Sequence, residues 1–283
     1  MTTKAPHLRE LGDFLKTRRS ELTPEDVGLP VFDFGPRRVK GLRREEVARL
    51  AAISTDYYTR VEQGRLAPTT PVLAGLLRAL RLDREQGAYL ESLLAESARQ
   101  PARRPRHPQA RPQLRRLVEQ LTDIPAVVFG PRLDVLAWNP LAAALITDFS
   151  AIPAERRNYV RMVFTDPAMR TLYADWESVA RTCVAILRMD TAGNPTDPAL
   201  ATLVGDLSIS DARFRQWWAA RHVAQQTFGT KTLQHPLVGE ITFSWDSFRY
   251  SGDPEQQLTL WTTEAGSVSH QRLQELAALS RST

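Results

Sequence analysis

Residues 43–64 read RREEVARLAAISTDYYTRVEQG, and the placement of apolar and small residues in this run decides how the first part of the chain folds. Val47, Ala48, Leu50 and Ala51, then Ile53, then Tyr58 and Val61 recur at helical spacing on either side of a three- to four-residue turn. Two short amphipathic helices therefore close onto one shared core, the arrangement a DNA-reading helix-turn-helix requires. Ser54 is placed to N-cap the second helix, and Gly64 falls where a left-handed residue stops it. Thr55, Asp56, Tyr57, Thr59 and Arg60 are left pointing outward.

Working outward, Leu8, Leu11, Phe14 and Leu15 predict a first helix ending near Arg19. Ser20–Gly41, with three prolines and three glycines, then separates it from the second helix by more than a compact helical domain normally needs. Downstream, Thr70 is expected to cap a helix starting at Pro71, with Leu73, Leu76, Leu77 and Leu80 as its buried stripe. Asp83 with Gln86 three residues on predicts a capping box for a fifth helix carrying Tyr89, Leu90, Leu93 and Leu94. The expectation is an all-α domain of about five helices over residues 1–99. Residues 100–112, QPARRPRHPQARP, hold four prolines and four arginines and no aliphatic side chain larger than alanine, so they read as an extended linker.

The charge divides with the domains. Residues 1–112 carry 21 Lys and Arg against 14 Asp and Glu, net +7, while residues 113–283 carry 16 against 18, net −2. A basic domain beside a near-neutral one suits a nucleic-acid module coupled to something else. No apolar run approaches a membrane span, and the N-terminus turns amphipathic at once without a signal-peptide core, so a cytoplasmic location is expected. The single cysteine, Cys183, excludes an internal disulfide framework and a Cys-rich zinc site. In VARTCVAILR it reads as a buried small hydrophobe, with a redox-sensing thiol as the other reading.

Residues 113–283 change character. Pro125–Trp138 reads as two short strands turning at Gly130-Pro131. Helical spacing or caps mark Ala142–Ile146, Arg156–Phe164, Ala168–Arg188, Pro198–Leu207 and Asp211–Ala220. Strand-like alternation returns at Val223, Lys231–His235, Glu240–Ser247 and Gln257–Thr263, and Ser267–Leu279 closes as an amphipathic helix. This order predicts an α+β domain with helices on one face of a sheet. All six tryptophans lie here, which suits a ligand cavity and an ordinary core equally. Trp138, Arg161, Trp176 and His222 are the candidate ligand contacts. Arg161, in the apolar run NYVRMVF, would need an anionic partner such as a ligand carboxylate if it faced inward; it can equally face solvent or pair with Asp166 or Asp175. The five histidines show no HExxH or paired metal spacing, and there is no GxSxG and no glycine-rich phosphate loop. No enzyme, metal or cofactor is expected.

The run GLRREEVARLAAISTDYYTRVEQGRLAP resembles the helix-turn-helix of the phage-repressor-like (Xre) regulators and, more narrowly, of the MmyB-like regulators, which also carry a segment like PEDVGLP before it. Ala52 departs from the family's usual glycine; if the turn needs positive φ, its methyl group costs about 1 kcal/mol. The resemblance implies a second helix in the major groove of double-stranded operator DNA, with Thr55, Asp56 and Arg60 at base edges beside Tyr57 and Thr59. Arg43, Arg44, Gln63 and Arg65 would contact phosphates, and Arg37, Arg38 and Lys40 form either a further phosphate-contacting arm or a surface loop whose charges keep it soluble. VVFGPRLDVLAWNPLA, RNYVRMVF, DWESVAR, FRQWWAARHV and KTLQHPLVGEITF resemble the PAS-like ligand-binding domain of the same family. That implies a pocket for a small, largely apolar, fatty-acid-like molecule and a homodimer on DNA, the alternative being an interaction or dimerisation module without a ligand.

Overall fold

Helix α1 (Pro6–Glu21) begins on a proline, which needs no intrahelical donor there, and buries Leu11, Phe14 and Leu15. The computed structural model describes residues 5–29, 41–95, 109–192, 194, 196–224 and 227–281. Two units emerge. The first is built on α1 and the helices up to residue 95, and the described parts of Thr191–Ala201 and Ala219–Ala224 group with it; the second contains the rest.

In the first unit, α2 (Arg44–Leu50) and α3 (Thr55–Glu62) stand where the sequence puts them. The Ser54 hydroxyl accepts from the Tyr57 amide at 3.1 Å, Ala52 has φ 56° and Gly64 φ 65°. Helix α4 (Thr70–Ala79) corrects the expected start by one residue. Thr69 is its extended N-cap and Thr70 the first helical residue, because proline is tolerated at the second position of the first turn as well as the first. Before α5 (Arg84–Ala95), Asp83 and Gln86 form the reciprocal capping box at 3.0 and 2.8 Å. Tyr58, Val61, Leu76, Leu80, Leu90 and Leu93 complete a closed core, with Phe14 and Tyr89 rings 5.3 Å apart. Gly12 is required by the approach of α1 to α3: a Cβ there would lie 2.3 Å from the Glu62 carbonyl oxygen.

The second unit opens with a helix the sequence reading did not anticipate, α6 (Pro112–Gln120). Ala110 is buried with Leu114 and Val118, and the Gln256 side-chain amide accepts from the Arg111 amide at 2.9 Å and donates to the Gln109 carbonyl at 3.0 Å. Residues 109–112, expected in the linker, thus belong to the second unit; alanine is enough apolar surface where a helix packs close. Strands β1 (Ala126–Phe129) and β2 (Val135–Trp138) flank the Gly130-Pro131 turn. With β3 (Phe228–His235), β4 (Gly239–Arg249) and β5 (Gln257–Thr262) they form one antiparallel sheet of order β2-β1-β5-β4-β3. Val223 lies outside any strand.

Between the two strand groups run α7 (Pro140–Leu145), α8 (Tyr159–Thr165), α9 (Pro167–Leu172), α10 (Trp176–Thr191), α11 (Pro198–Ser210) and α12 (Ala212–Ala219); α13 (Val268–Arg281) ends the chain. The single helix expected over Ala168–Arg188 is broken at Tyr173–Asp175. There Tyr173 bridges to Leu233, the Ala174 amide donates to the Thr232 carbonyl at 3.0 Å, and Asp175 restarts the helix by accepting from the Ser178 amide. Backbone bonding to the edge strand has overridden helix continuation. The single-face expectation is also corrected. Ala126, Val128 and Leu258 pack with α6 on one face of the sheet, whereas the alternate residue Phe129 meets Tyr159 of α8 at 5.4 Å on the other. No helix among the described residues is long and apolar enough to cross a membrane.

Replacing Ala52 by Gly is expected to stabilise the first unit by up to about 1 kcal/mol, since it removes the left-handed penalty at an exposed position. Urea denaturation checks this; a destabilised variant would mean the turn carries no such strain.

Candidate nucleic-acid interface and ligand cavity

The outer surface of α3 is fixed by what its inner surface buries. Tyr58 and Val61 are fully buried, and Glu62, one residue further on the same stripe, points its carboxylate inward with a side chain only 1% exposed. Such a charge is costly unless paired and hydrogen-bonded. Arg19 of α1 grips both its oxygens, at 2.7 and 3.1 Å, Arg44 of α2 donates Nε to one at 2.8 Å, and Arg19 also donates to the Leu42 carbonyl at 2.7 Å. Burial pushes the Glu62 carboxyl up, but the hydrogen bonds and charge of Arg19, then Arg44, outweigh it and hold the group below the usual glutamate range. Burial, then the Glu62 charge, push the neighbouring Tyr58 hydroxyl up. Sequence reasoning missed Glu62 as a functional residue. Its signal was the spacing: 58, 61 and 62 are i, i+3 and i+4 of one stripe.

With that stripe held inward, Thr55, Asp56 and Arg60 are exposed and Tyr57 and Thr59 half-buried, so the five outward residues share one accessible surface. Arg43 and Arg65 flank it, both exposed. Arg44 is also exposed, but its Nε belongs to Glu62. Gln63 is half-buried and turns its Oε1 inward. Arg37, Arg38 and Lys40 lie outside the described residues.

The second unit holds a cavity between α10 and the sheet. Strand parity builds it: Phe129, Lys231, Trp245, Ser247, Gln257, Thr259 and Trp261 share one sheet face, and Tyr159, Thr182, Cys183 and Ile186 oppose them. Its volume is about 40 Å³. A second hollow of about 350 Å³ adjoins it, lined by Asp175, Ser178, Thr182, Thr230, Lys231 and Trp245 among others, so Thr182, Lys231 and Trp245 line both. Lys231 Nζ lies 5.0 Å from the Trp245 ring centroid and 5.8 Å from that of Tyr173. Burial holds the Lys231 amine below the usual lysine range, with Cys183 opposing; burial pushes the Cys183 thiol up, with Lys231 opposing. The Tyr159 and Tyr173 hydroxyls are hydrogen-bonded to each other.

A helix-turn-helix domain model matches residues 10–90, and a model described as the MmyB-like transcription regulator ligand binding domain matches residues 110–276. The second match spans more than half of the chain. The chain belongs to the MmyB-like transcription regulators. No curated protein matches it. As an MmyB-like regulator it is a DNA-binding transcription regulator with a ligand-binding domain, and the cavity lies within the matched residues.

None of the four ligand contacts expected in this MmyB-like domain lines either hollow. Arg161 donates to Asp206 at 2.9 Å, so a neighbouring helix supplies its anion. Trp138 packs on Phe149 at 5.3 Å beneath Arg157, and Trp176 donates Nε1 to the Val163 carbonyl at 2.8 Å beneath Arg170. His222 is exposed and groups with the first unit. His235 is satisfied structurally, its Nε2 3.0 Å from the Ala144 carbonyl oxygen. Cys183 is buried, as expected. The residue overlooked is Lys231, and alternation was its signal, since it shares strand parity with buried Leu233 and His235.

Glu62→Ala is expected to cost about 3–5 kcal/mol in urea denaturation, because it strands the partly buried Arg19 guanidinium. A carboxyl held low contributes stability that is full above the ordinary glutamate value of about 4.3 and is lost as pH falls below it. Glu62→Gln should therefore flatten the wild-type loss of stability as pH falls below about 4.3; an unchanged pH profile would assign that loss elsewhere.

Proposed function

We propose that this protein binds a specific operator through α3 and adjusts that binding to a small, largely apolar, fatty-acid-like molecule held in the second unit. The observation that carries the reading is that one chain combines an α3 braced from inside by Glu62, with its outer residues free, and a cavity within a ligand-binding family domain. Arg60 reads a guanine edge, beside Thr55, Asp56, Tyr57 and Thr59. Arg43, Arg65, the free nitrogens of Arg44, Gln63 and the arm of Arg37, Arg38 and Lys40 contact phosphates. The protein acts in the cytoplasm as a homodimer on paired half-sites, with the second unit serving as a PAS-like sensor. Support for that last point is a five-stranded antiparallel sheet whose order 2-1-5-4-3 brings the first two strands beside the last.

The small cavity volume favours one other reading, a dimerisation module that takes no ligand. Solvent extraction of the purified protein followed by mass spectrometry separates the two. A retained acyl compound supports the sensor, and no retained compound together with no thermal shift from acyl lipids supports the module.

In a selection from random DNA, Arg60→Ala should relax preference at one base pair per half-site, a loss of about 1–3 kcal/mol of discrimination. Arg65→Ala should weaken all sequences alike and lower the salt slope by about 1. Arg65 is the cleaner probe than Arg44, whose removal would also disturb Glu62. Unchanged operator preference in Arg60→Ala would refute the assigned contact.

A further inference from the structure

Lys231 is the one lysine on the buried face of the sheet, paired across the strands with Phe243 and sharing strand parity with Leu233. A half-buried ammonium in that position is stabilised by a counter-charge. Among the described residues no carboxylate pairs with it. Asp175, on the rim of the outer hollow, spends one oxygen on the Ser178 amide, and Asp190 is held by Arg249 at 2.6 Å. What surrounds the amine are the faces of Trp245 and Tyr173, which favour its charged form. Thr182, whose hydroxyl has no hydrogen-bond partner among the described residues, lines the same two hollows.

We propose that Lys231 and Thr182 form an anion clamp that binds the carboxylate head of an amphiphilic acid at the neck between the two hollows, with its apolar chain directed inward against Phe129, Leu133, Ile186 and Trp261. The proposal rests on the ligand-sensing reading above and adds to it the head group, the anchoring residues and the orientation. The exposed rim of Ala174, Asp175, Ser178 and Thr230 is the side from which the acid arrives. The Lys231 ammonium and the carboxylate form a hydrogen-bonded ion pair, so the charge is balanced within the site. The cavity, about 40 Å³, holds no more than a few water molecules. An alkyl chain therefore enters only as α10 and the sheet part, which couples occupancy to the position of α10.

The test uses the full chain, titrated with sodium octanoate, 1-octanol and sodium acetate and followed by calorimetry and by tryptophan fluorescence, since Trp245 and Trp261 line the cavity. Octanoate is expected to bind about tenfold or more tightly than octanol, as a hydrogen-bonded charge contributes on that scale, and acetate only weakly. Lys231→Met should erase the preference for octanoate while leaving octanol affinity unchanged, which also shows that the cavity is intact. Lys231→Arg should restore part of the preference, and Thr182→Val should lose a smaller share. Equal binding of octanoate and octanol by the wild type, or undiminished octanoate binding by Lys231→Met, overturns the clamp and leaves the apolar-ligand reading standing. Binding of neither amphiphile overturns that reading and the clamp with it.

Discussion

The DNA-facing half depends on one buried carboxylate. Helices α2 and α3 have seven and eight residues, lengths at which an isolated helix is not stable in water. Their orientation must come from tertiary contacts, and Glu62 supplies the directional one: it is bonded to α1 through Arg19 and to α2 through Arg44 while sitting in the last turn of α3. Apolar burial alone would tolerate some rolling of α3 about its axis. A carboxylate gripped by two guanidinium groups does not, because rotation would leave a buried charge unpaired. The outward presentation of Thr55, Asp56 and Arg60 is thus a consequence of what happens on the opposite side of the helix.

Parts of this fold are legible in the sequence and others are not, according to how far along the chain their determinants lie. The Ser54 cap, the Asp83–Gln86 box, the left-handed Ala52 and Gly64 and the Gly130-Pro131 turn are decided within a few residues, and reading them needs only side-chain chemistry and φ preferences. The break at Tyr173–Asp175 is decided by Thr232 and Leu233, far along the chain, so local periodicity ran straight through it. Helix α6 escaped because its first turn carries the last proline of a Pro-rich stretch, and what assigns that turn to the second unit is distant in sequence: the core that Ala110 shares with Val128 and Leu258, and the Gln256 hydrogen bonds to Gln109 and Arg111.

The candidate ligand residues lie outside both hollows for a related reason. Arg161 stands out in the sequence as a cation among apolar neighbours, a sound criterion whose outcome turns on Asp206, a partner 45 residues away. Lys231 meets the same criterion on a strand, where the period is two rather than 3.6, and there strand parity alone places it with Leu233 on the buried face. Four of the six tryptophans similarly serve the helix block or the packing near β2, under arginines that cap their faces. Only Trp245 and Trp261, cross-strand neighbours on β4 and β5, reach the cavity. Tryptophan content marks the unit and not the site.

The two units treat their buried charges in opposite ways. Glu62 is satisfied completely by groups of its own chain, so its environment locks one geometry and no outside molecule is needed to stabilise it. Lys231, half-buried, has aromatic faces and a hydroxyl beside it but no anion, and burial holds its amine below the usual lysine range. A site of the first kind is rigid whether or not anything binds. In the second kind the most favourable arrangement contains a molecule the chain does not supply, and the free-energy difference between filled and empty is concentrated in one pair of groups. A ligand shifts a conformational equilibrium only by its differential affinity for the two states. An amine lacking its counter-charge, beside a cavity too small for the chain that would bring one, is where such a difference arises.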